Sequence, residues 1–212
     1  YLKKTFDVPK LLWVRSFSKI YNPLLAIKVL KALKDRGLDA RLCMVCPDSD
    51  GTVQDVKEFA TELQVDVTFT GKLTKAEWIA LSEDYNVFIN TTHIDNTPVS
   101  VIEAMALGLP IVSTNVGGMP YLIEHNIQGL LVPPEDVPAM VDAILHLFDA
   151  PEQRELMIAN ARHLAEQFDW KRVKDRWDEI LGGELVFSCQ LSVVSGQWSV
   201  VSFKFSVVSG QW

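Results

Sequence analysis

The stretch "NVFINTTHIDNTPVSVIEAMALGLPIVSTN", Asn86 to Asn115, decides the reading of the fold. It opens on a short apolar run, NVFINTT, and closes on another, LPIVSTN. Between them Thr97 suits an N-cap and Pro98 the first position of a helix. Gly108 suits the place just past its end, and Pro110 blocks continuation. Strand, helix and strand in that order form a βαβ unit, whose two strands run parallel.

The same alternation extends outward in both directions. LLWVRSF (11–17) reads as a strand, followed by a helix in NPLLAIKVLKALKDRG (22–37). Asn22 caps that helix, Pro23 takes its first turn, and Gly37 ends it. ARLCMVC (40–46) is a second strand and DVTFTG (66–71) a third. LTKAEWIALSED (73–84) begins with a capping box, Thr74 with Glu77. GLLVPP (129–134) gives a last strand, and helical patterns run from about Asp136 to Leu181. These strands are nearly continuous in apolar residues, as expected when helices cover both faces of a sheet. The predicted class is α/β, a doubly wound parallel sheet of Rossmann-like form.

Composition narrows the function classes. Over 212 residues, 48% are hydrophobic and 22% charged, ordinary for a globular domain with a sizeable core. A formal net charge of −7 argues against a nucleic-acid binder, which should present a basic face. No apolar run reaches membrane-spanning length. Three cysteines give no disulfide framework, and a reducing, cytoplasmic setting is expected. The first residue is Tyr1 rather than Met, so a further N-terminal portion is expected before it.

In an open parallel sheet, ligands bind beyond the carboxyl ends of the strands. The helix after NVFINTT starts there, and the amides of Val99 and Ser100 with the helix dipole make an anion site. Asp95 lies outside the helix at the mouth, and Glu103 lies nearly two turns in, too deep for a cap. A carboxylate there accepts hydrogen bonds, and vicinal sugar hydroxyls supply two donors. Phosphate, ribose and a second polyol together describe a nucleotide sugar. Spacing alone leaves open a blander reading, with Asp95 a turn residue and Glu103 a solvated helix position.

The segment "DNTPVSVIEAMALGLPIVSTNVGGMPYLIEHNIQGLLVPPED" resembles the signature region of the family 4 retaining glycosyltransferases of GT-B fold. The family pattern is two acids separated by seven residues, then E-A-M-A-x-G-x-P, G-G-x-P and N-G-L-L-V-P-P, the last of which stands here as Q-G-L-L-V-P-P. It extends from about Leu11 to Leu181. The resemblance implies that residues 1–182 are the nucleotide-sugar donor domain, the C-terminal half of such an enzyme. Glu103 would hold the ribose hydroxyls and Asp95 those of the transferred sugar. The amides of Val99 and Ser100 would hold the diphosphate together with Arg15 at the end of the first strand. Thr70 to Lys72 and Leu73 would flank the base.

Catalytic roles then fall to Asp95, Glu103 and Arg15. The donor is expected to be a UDP- or GDP-sugar, with no cofactor and no metal. The acceptor is a glycan, a lipid or a small molecule held by a missing N-terminal domain, through which the enzyme would touch the inner face of a membrane. The fragment alone is expected to transfer little. The rival reading is a non-catalytic nucleotide-sugar sensor or partner subunit.

Departures from the family pattern motivate that rival. The first acid is Asp95 where Glu is usual, Pro98 lacks an N–H, and YNP stands where a lysine-glycine pair is expected. Lys19 is the remaining candidate for that lysine, with its register off.

Other motifs read more simply. Cys43 and Cys46 are three apart in a strand and so face opposite sides, and no second pair follows. Asp48 and Asp50 mimic a metal site but lack the later ligands, and are expected near a helix start. His93 is a loop residue near Asp95. The GGMP turn, Gly117 to Pro120, permits close backbone approach, and Glu124 on the following helix is expected to be exposed. A dinucleotide dehydrogenase needs G-x-G-x-x-G after the first strand, and VRSFSKIYNP has no glycine.

The tail, residues 183–212, differs in kind. SVVSGQW occurs at Ser192–Trp198 and again at Ser206–Trp212. Val194, Trp198, Val201, Phe205 and Val208 fall at heptad spacing, yet Ser, Val and Gly are poor helix formers. An odd period also suits a strand badly, since successive copies swap faces. A short DNA repeat read through in triplets also yields a period of seven residues. The tail is expected to lie outside the fold.

Overall fold

The computed structural model describes residues 4–45, 51–181, 185–194 and 197–207. It divides into two compact units, residues 1–166 and 167–212. The sequence expectation set the boundary after residue 182 instead.

The first unit contains β1 (Lys10–Val14), α1 (Pro23–Asp35), β2 (Arg41–Val45), α2 (Thr52–Glu62) and β3 (Thr68–Gly71). It continues through α3 (Lys75–Ser82), β4 (Val87–Asn90), α4 (Val99–Ala106), β5 (Ile111–Thr114) and α5 (Met119–Leu122). β6 (Leu130–Val132), α6 (Val137–Asp149) and α7 (Pro151–Ala165) complete it. The six strands pair in parallel in the order β3-β2-β1-β4-β5-β6. That is the doubly wound arrangement, with its switch point between β1 and β4.

Alternation along each strand feeds two apolar layers. Leu11 and Trp13 of β1 join Val87 and Ile89 of β4 and Leu42 and Met44 of β2 in one layer, which α1, α2 and α6 complete. Leu12, Phe88 and Cys43 point to the other, against α3, α4 and α7. Burial on both faces explains the unbroken apolar runs.

Local chemistry sets the helix ends. The Asn22 side chain accepts from the Leu25 N–H at 3.3 Å, and Asp136 accepts from Ala139 at 2.8 Å. Thr74 and Glu77 form the reciprocal capping box. α4 differs by one residue from the expectation: its N-cap is Pro98, without a side-chain cap, and its first residue is Val99. The Pro98 carbonyl accepts from Val101 and Ile102, so Thr97 stays outside and Glu103 is the fifth helical residue. β1 is likewise shorter than LLWVRSF: the chain turns after Val14, with Ser18 N–H donating to Ser16 O at 2.9 Å. Glu124 is exposed but lies beyond α5, in the turn that leads to β6.

The second unit contains α8 (Trp170–Leu181) and an antiparallel hairpin of β7 (Leu185–Val194) and β8 (Gln197–Val207). The described residues of the repeat, Ser192 to Val194, Gln197, Trp198, Ser206 and Val207, therefore lie in strands and not in a heptad helix. Pairing shifts register between Gln190 and Leu191, the kind of one-residue slip that reconciles an odd sequence period with a two-residue strand period. Cys46, Asp48 and Asp50 lie outside the described residues, so the readings made on them are not placed. Among the described residues no helix is long and apolar enough to cross a membrane.

Candidate functional site

The two central strands deliver their loops to the same edge of the sheet. The loop after β1 brings Arg15, Ser16 and Tyr21, and the loop after β4 brings Asp95 and the start of α4. Together with Val14 they line a cleft of about 310 Å³ at the switch point.

Arg15 is its cationic centre. Its Nη2 donates to Asp95 Oδ2 at 2.5 Å, and the two side chains are 12% and 14% exposed. Its Nε donates to Asn90 Oδ1 at 3.4 Å, and its guanidinium carbon lies 4.9 Å from the Tyr21 ring centroid. Burial lowers the guanidinium pKa, and the charge of Asp95 opposes that shift. Asn90 is itself fully buried and donates to Ser113 Oγ at 3.0 Å, so the support beneath Arg15 is tied to β5.

The backbone around Asp95 is clamped. The Gly118 N–H donates to the Asp95 carbonyl at 2.6 Å, and the Thr92 hydroxyl donates to Ile94 O at 2.8 Å. A Cβ on Gly118 would overlap the Asn96 carbonyl, and Gly117 has a φ of +55° against the Asp95 carbonyl. The GGMP turn therefore leads from β5 into α5 and packs its backbone on the loop that carries the acid.

At the start of α4 the first intrahelical bond is donated by Val101, which leaves the amides of Val99 and Ser100 ahead of it at the cleft. Ser100 Oγ is buried and has no hydrogen-bond partner among the described residues, a donor in want of an acceptor.

Not every residue singled out in the sequence meets in this cleft. Glu103 sits four residues after Val99, hence on the same side of α4 one turn deeper. Its Oε1 is ion-paired with Lys75 Nζ at the start of α3, and it does not line the cleft. Lys72 is exposed and Leu73 half-buried in the turn between β3 and α3, away from the cleft lining. Lys19 is exposed in a 3-10 turn and is likewise outside the lining. His93 is exposed, with Nδ1 3.4 Å from Glu135 Oε1. Among the described residues no three His, Cys, Asp or Glu are placed to hold a metal ion.

Sequence reasoning does not single out Tyr21, Asn90 or Lys75 as site residues, whereas Gly118 falls in the GGMP turn it marks for close backbone approach. Asn90 carried a signal, a polar residue closing an apolar strand. Tyr21 and Lys75 carried none, because their contacts come from other elements.

Known proteins share this architecture. The chain is similar to sucrose-phosphate synthase from Thermosynechococcus elongatus, with a TM-score of 0.74 and 24% identity over 82% of this chain and 45% of that one. It is also similar to Anabaena HepE, solved in complex with UDP and glucose, with a TM-score of 0.74 and 20% identity over 83% and 48%. These likenesses establish the fold, the α/β Rossmann-like sheet of GT-B glycosyltransferases. In sequence it is 30% identical to D-inositol 3-phosphate glycosyltransferase of Saccharomonospora viridis over 149 residues, 67% of this chain and 35% of that protein. The chain thus spans about a third of that relative's length. The model of the family described as glycosyl transferases group 1 matches residues 3–164, nearly all of the unit that carries the cleft, and the chain belongs to that family.

Proposed function

We propose that the first unit is the donor domain of a retaining glycosyltransferase, one that takes a sugar from a UDP- or GDP-sugar. The observation that carries this reading is the convergence of Arg15 and the start of α4 on one cleft at the switch point. A guanidinium, two helix-start amides and the Ser100 hydroxyl are the donors a diphosphate needs. The solved complex of Anabaena HepE with UDP and glucose, on the same fold, supports the choice of ligand class.

In this reading Arg15 and the amides of Val99 and Ser100 grip the diphosphate and stabilise charge growing on it as the sugar departs. Asp95 accepts hydrogen bonds from hydroxyls of the sugar. Glu103, one turn deeper on α4, accepts from the ribose, and Lys72 and Leu73 flank the base beside it. Lys19, exposed on the 3-10 turn, reaches the phosphates only with a turn of its own loop. The acceptor hydroxyl attacks on the face the diphosphate leaves, and a phosphate oxygen takes its proton. The acceptor, a glycan, lipid or small molecule, is bound by a part of the protein outside these residues, as the greater length of the relatives supports.

A second reading, a non-catalytic nucleotide-sugar sensor, is favoured by one observation: Arg15 is the single cation in the cleft lining among the described residues. Turnover of UDP- and GDP-sugars by the whole protein separates the two, since a sensor binds donor and never consumes it. Binding itself is tested on this chain by thermal shift with UDP, GDP and ADP. Arg15→Met and Glu103→Ala are expected each to weaken binding roughly tenfold or more. Wild-type affinity in both variants removes the proposed site.

A further inference from the structure

The cleft holds an ion pair of its own. Arg15 and Asp95 are the charged side chains among the described residues that line it, so its net charge is zero. Both partners are held from behind. Tyr21 and Asn90 support the guanidinium, while the Gly118 N–H and the Thr92 hydroxyl fix the backbone on either side of the acid. The contact is therefore built into the fold, not a chance meeting of two surface side chains.

A diphosphate arriving at Arg15 brings its own negative charge to a guanidinium that already has an anion 2.5 Å away. Two anions on one partly buried cation repel each other, and that repulsion is weakly screened. We infer that Asp95 is the resident counter-anion of Arg15: the donor's diphosphate takes the guanidinium from it, and the ion pair re-forms as the nucleoside diphosphate leaves. The exchange weakens the grip on the spent product and so speeds its release.

This inference rests on the diphosphate reading above, yet it predicts an effect opposite to that of a sugar-binding acid. An acid that only holds sugar hydroxyls is indifferent to UDP, which has no transferred sugar. A counter-anion opposes UDP directly.

The test measures UDP binding to the 212-residue chain by calorimetry and stopped flow, for wild type, Asp95→Asn, Asp95→Ser and Arg15→Met. Both neutral variants are expected to bind UDP roughly tenfold tighter, because the lone guanidinium keeps a charge-assisted bond for the ligand. The gain should appear as slower dissociation. Unchanged or weaker UDP binding in both, with binding still lost in Arg15→Met, overturns the counter-anion role and leaves the diphosphate reading standing. Wild-type binding by Arg15→Met overturns the diphosphate reading itself. Should the neutral variants not fold, the Nη2–H resonance of Arg15 in the wild-type chain decides. It moves on addition of UDP if the guanidinium changes partner, and a static resonance during saturable binding overturns the exchange.

Discussion

A Cβ built on Gly118 would overlap the carbonyl oxygen of Asn96, and one on Gly117 would overlap that of Asp95. Backbone carbonyls of a clamped loop cannot rotate aside as a flexible side chain can. Gly118→Ala is therefore expected to lower the unfolding free energy by roughly 2 kcal/mol, the usual cost of forcing extra volume into a packed contact. Urea denaturation measures this, and a change below about 0.5 kcal/mol would mean that the loop yields freely. The same substitution should weaken UDP binding, because it shifts the loop that leads into α4 and so displaces the amides of Val99 and Ser100 at the cleft. Lys75 makes the contrary case. Its pair with Glu103 is solvent-accessible, with the lysine side chain 60% exposed, so the pair contributes little stability. What it can influence is where the Glu103 carboxylate points.

At the scale of elements, α3 offers the clearest test. Its first turn is closed by the Thr74 hydroxyl and the Glu77 carboxylate, each bonded to the other's backbone. Thr74→Ala is expected to cost about 1 kcal/mol, read as a shift in the urea midpoint with unchanged slope. The bond from the Thr74 backbone holds the Glu77 pKa below its ordinary value. A depressed carboxylate contributes its stability above its unfolded pKa and loses it as pH falls through the folded one. Hydrogen exchange at the Thr74 amide should accordingly gain protection above the carboxylate range and lose it on acidification below that range, after correction for intrinsic exchange. Glu77→Gln should flatten that dependence.

Elements of this kind are also where the sequence was most legible. The caps at Asn22 and Thr74 depend on partners three residues away, and local chemistry specifies them; near Asp136 the sequence shows only a helix start, and the structure adds its cap. α4 slipped by one residue because Pro98 serves as its N-cap and supplies its carbonyl to two amides, a choice its neighbours in sequence do not dictate. The site was legible in part. Asp95, Val99 and Ser100 of the cleft lining lie within one motif and Arg15 follows from the family pattern, whereas Glu103 of the same motif lies outside the lining. Tyr21 beneath Arg15 and Lys75 against Glu103 depend on how separate elements converge, and no spacing encodes that. The shortening of LLWVRSF to Lys10–Val14 has the same origin: Arg15 leaves the strand to meet an acid 80 residues away.

For the molecule as a whole, ligand binding and stability are coupled. If the cleft takes a nucleoside diphosphate, a concentration about a hundred times the dissociation constant stabilises the folded chain by about 2.7 kcal/mol. For a chain of this size the melting temperature should then rise by roughly 5 to 10 °C. Differential scanning fluorimetry reads this directly, and no rise at saturating UDP, GDP or ADP would remove all three as ligands of the cleft.

The central position of β1, between β2 and β4, has a further consequence that concerns time. While the chain is being synthesised, β2 and β3 can pair as they emerge, yet the other side of β1 stays bare until residues 87–90 appear. Throughout that interval Leu11, Leu12 and Trp13 belong to an uncovered strand edge, the feature that most invites one nascent chain to stick to another. The strand whose loop will carry Arg15 is therefore also the strand that most needs shielding on the ribosome, and the cleft exists only once its two halves have been joined.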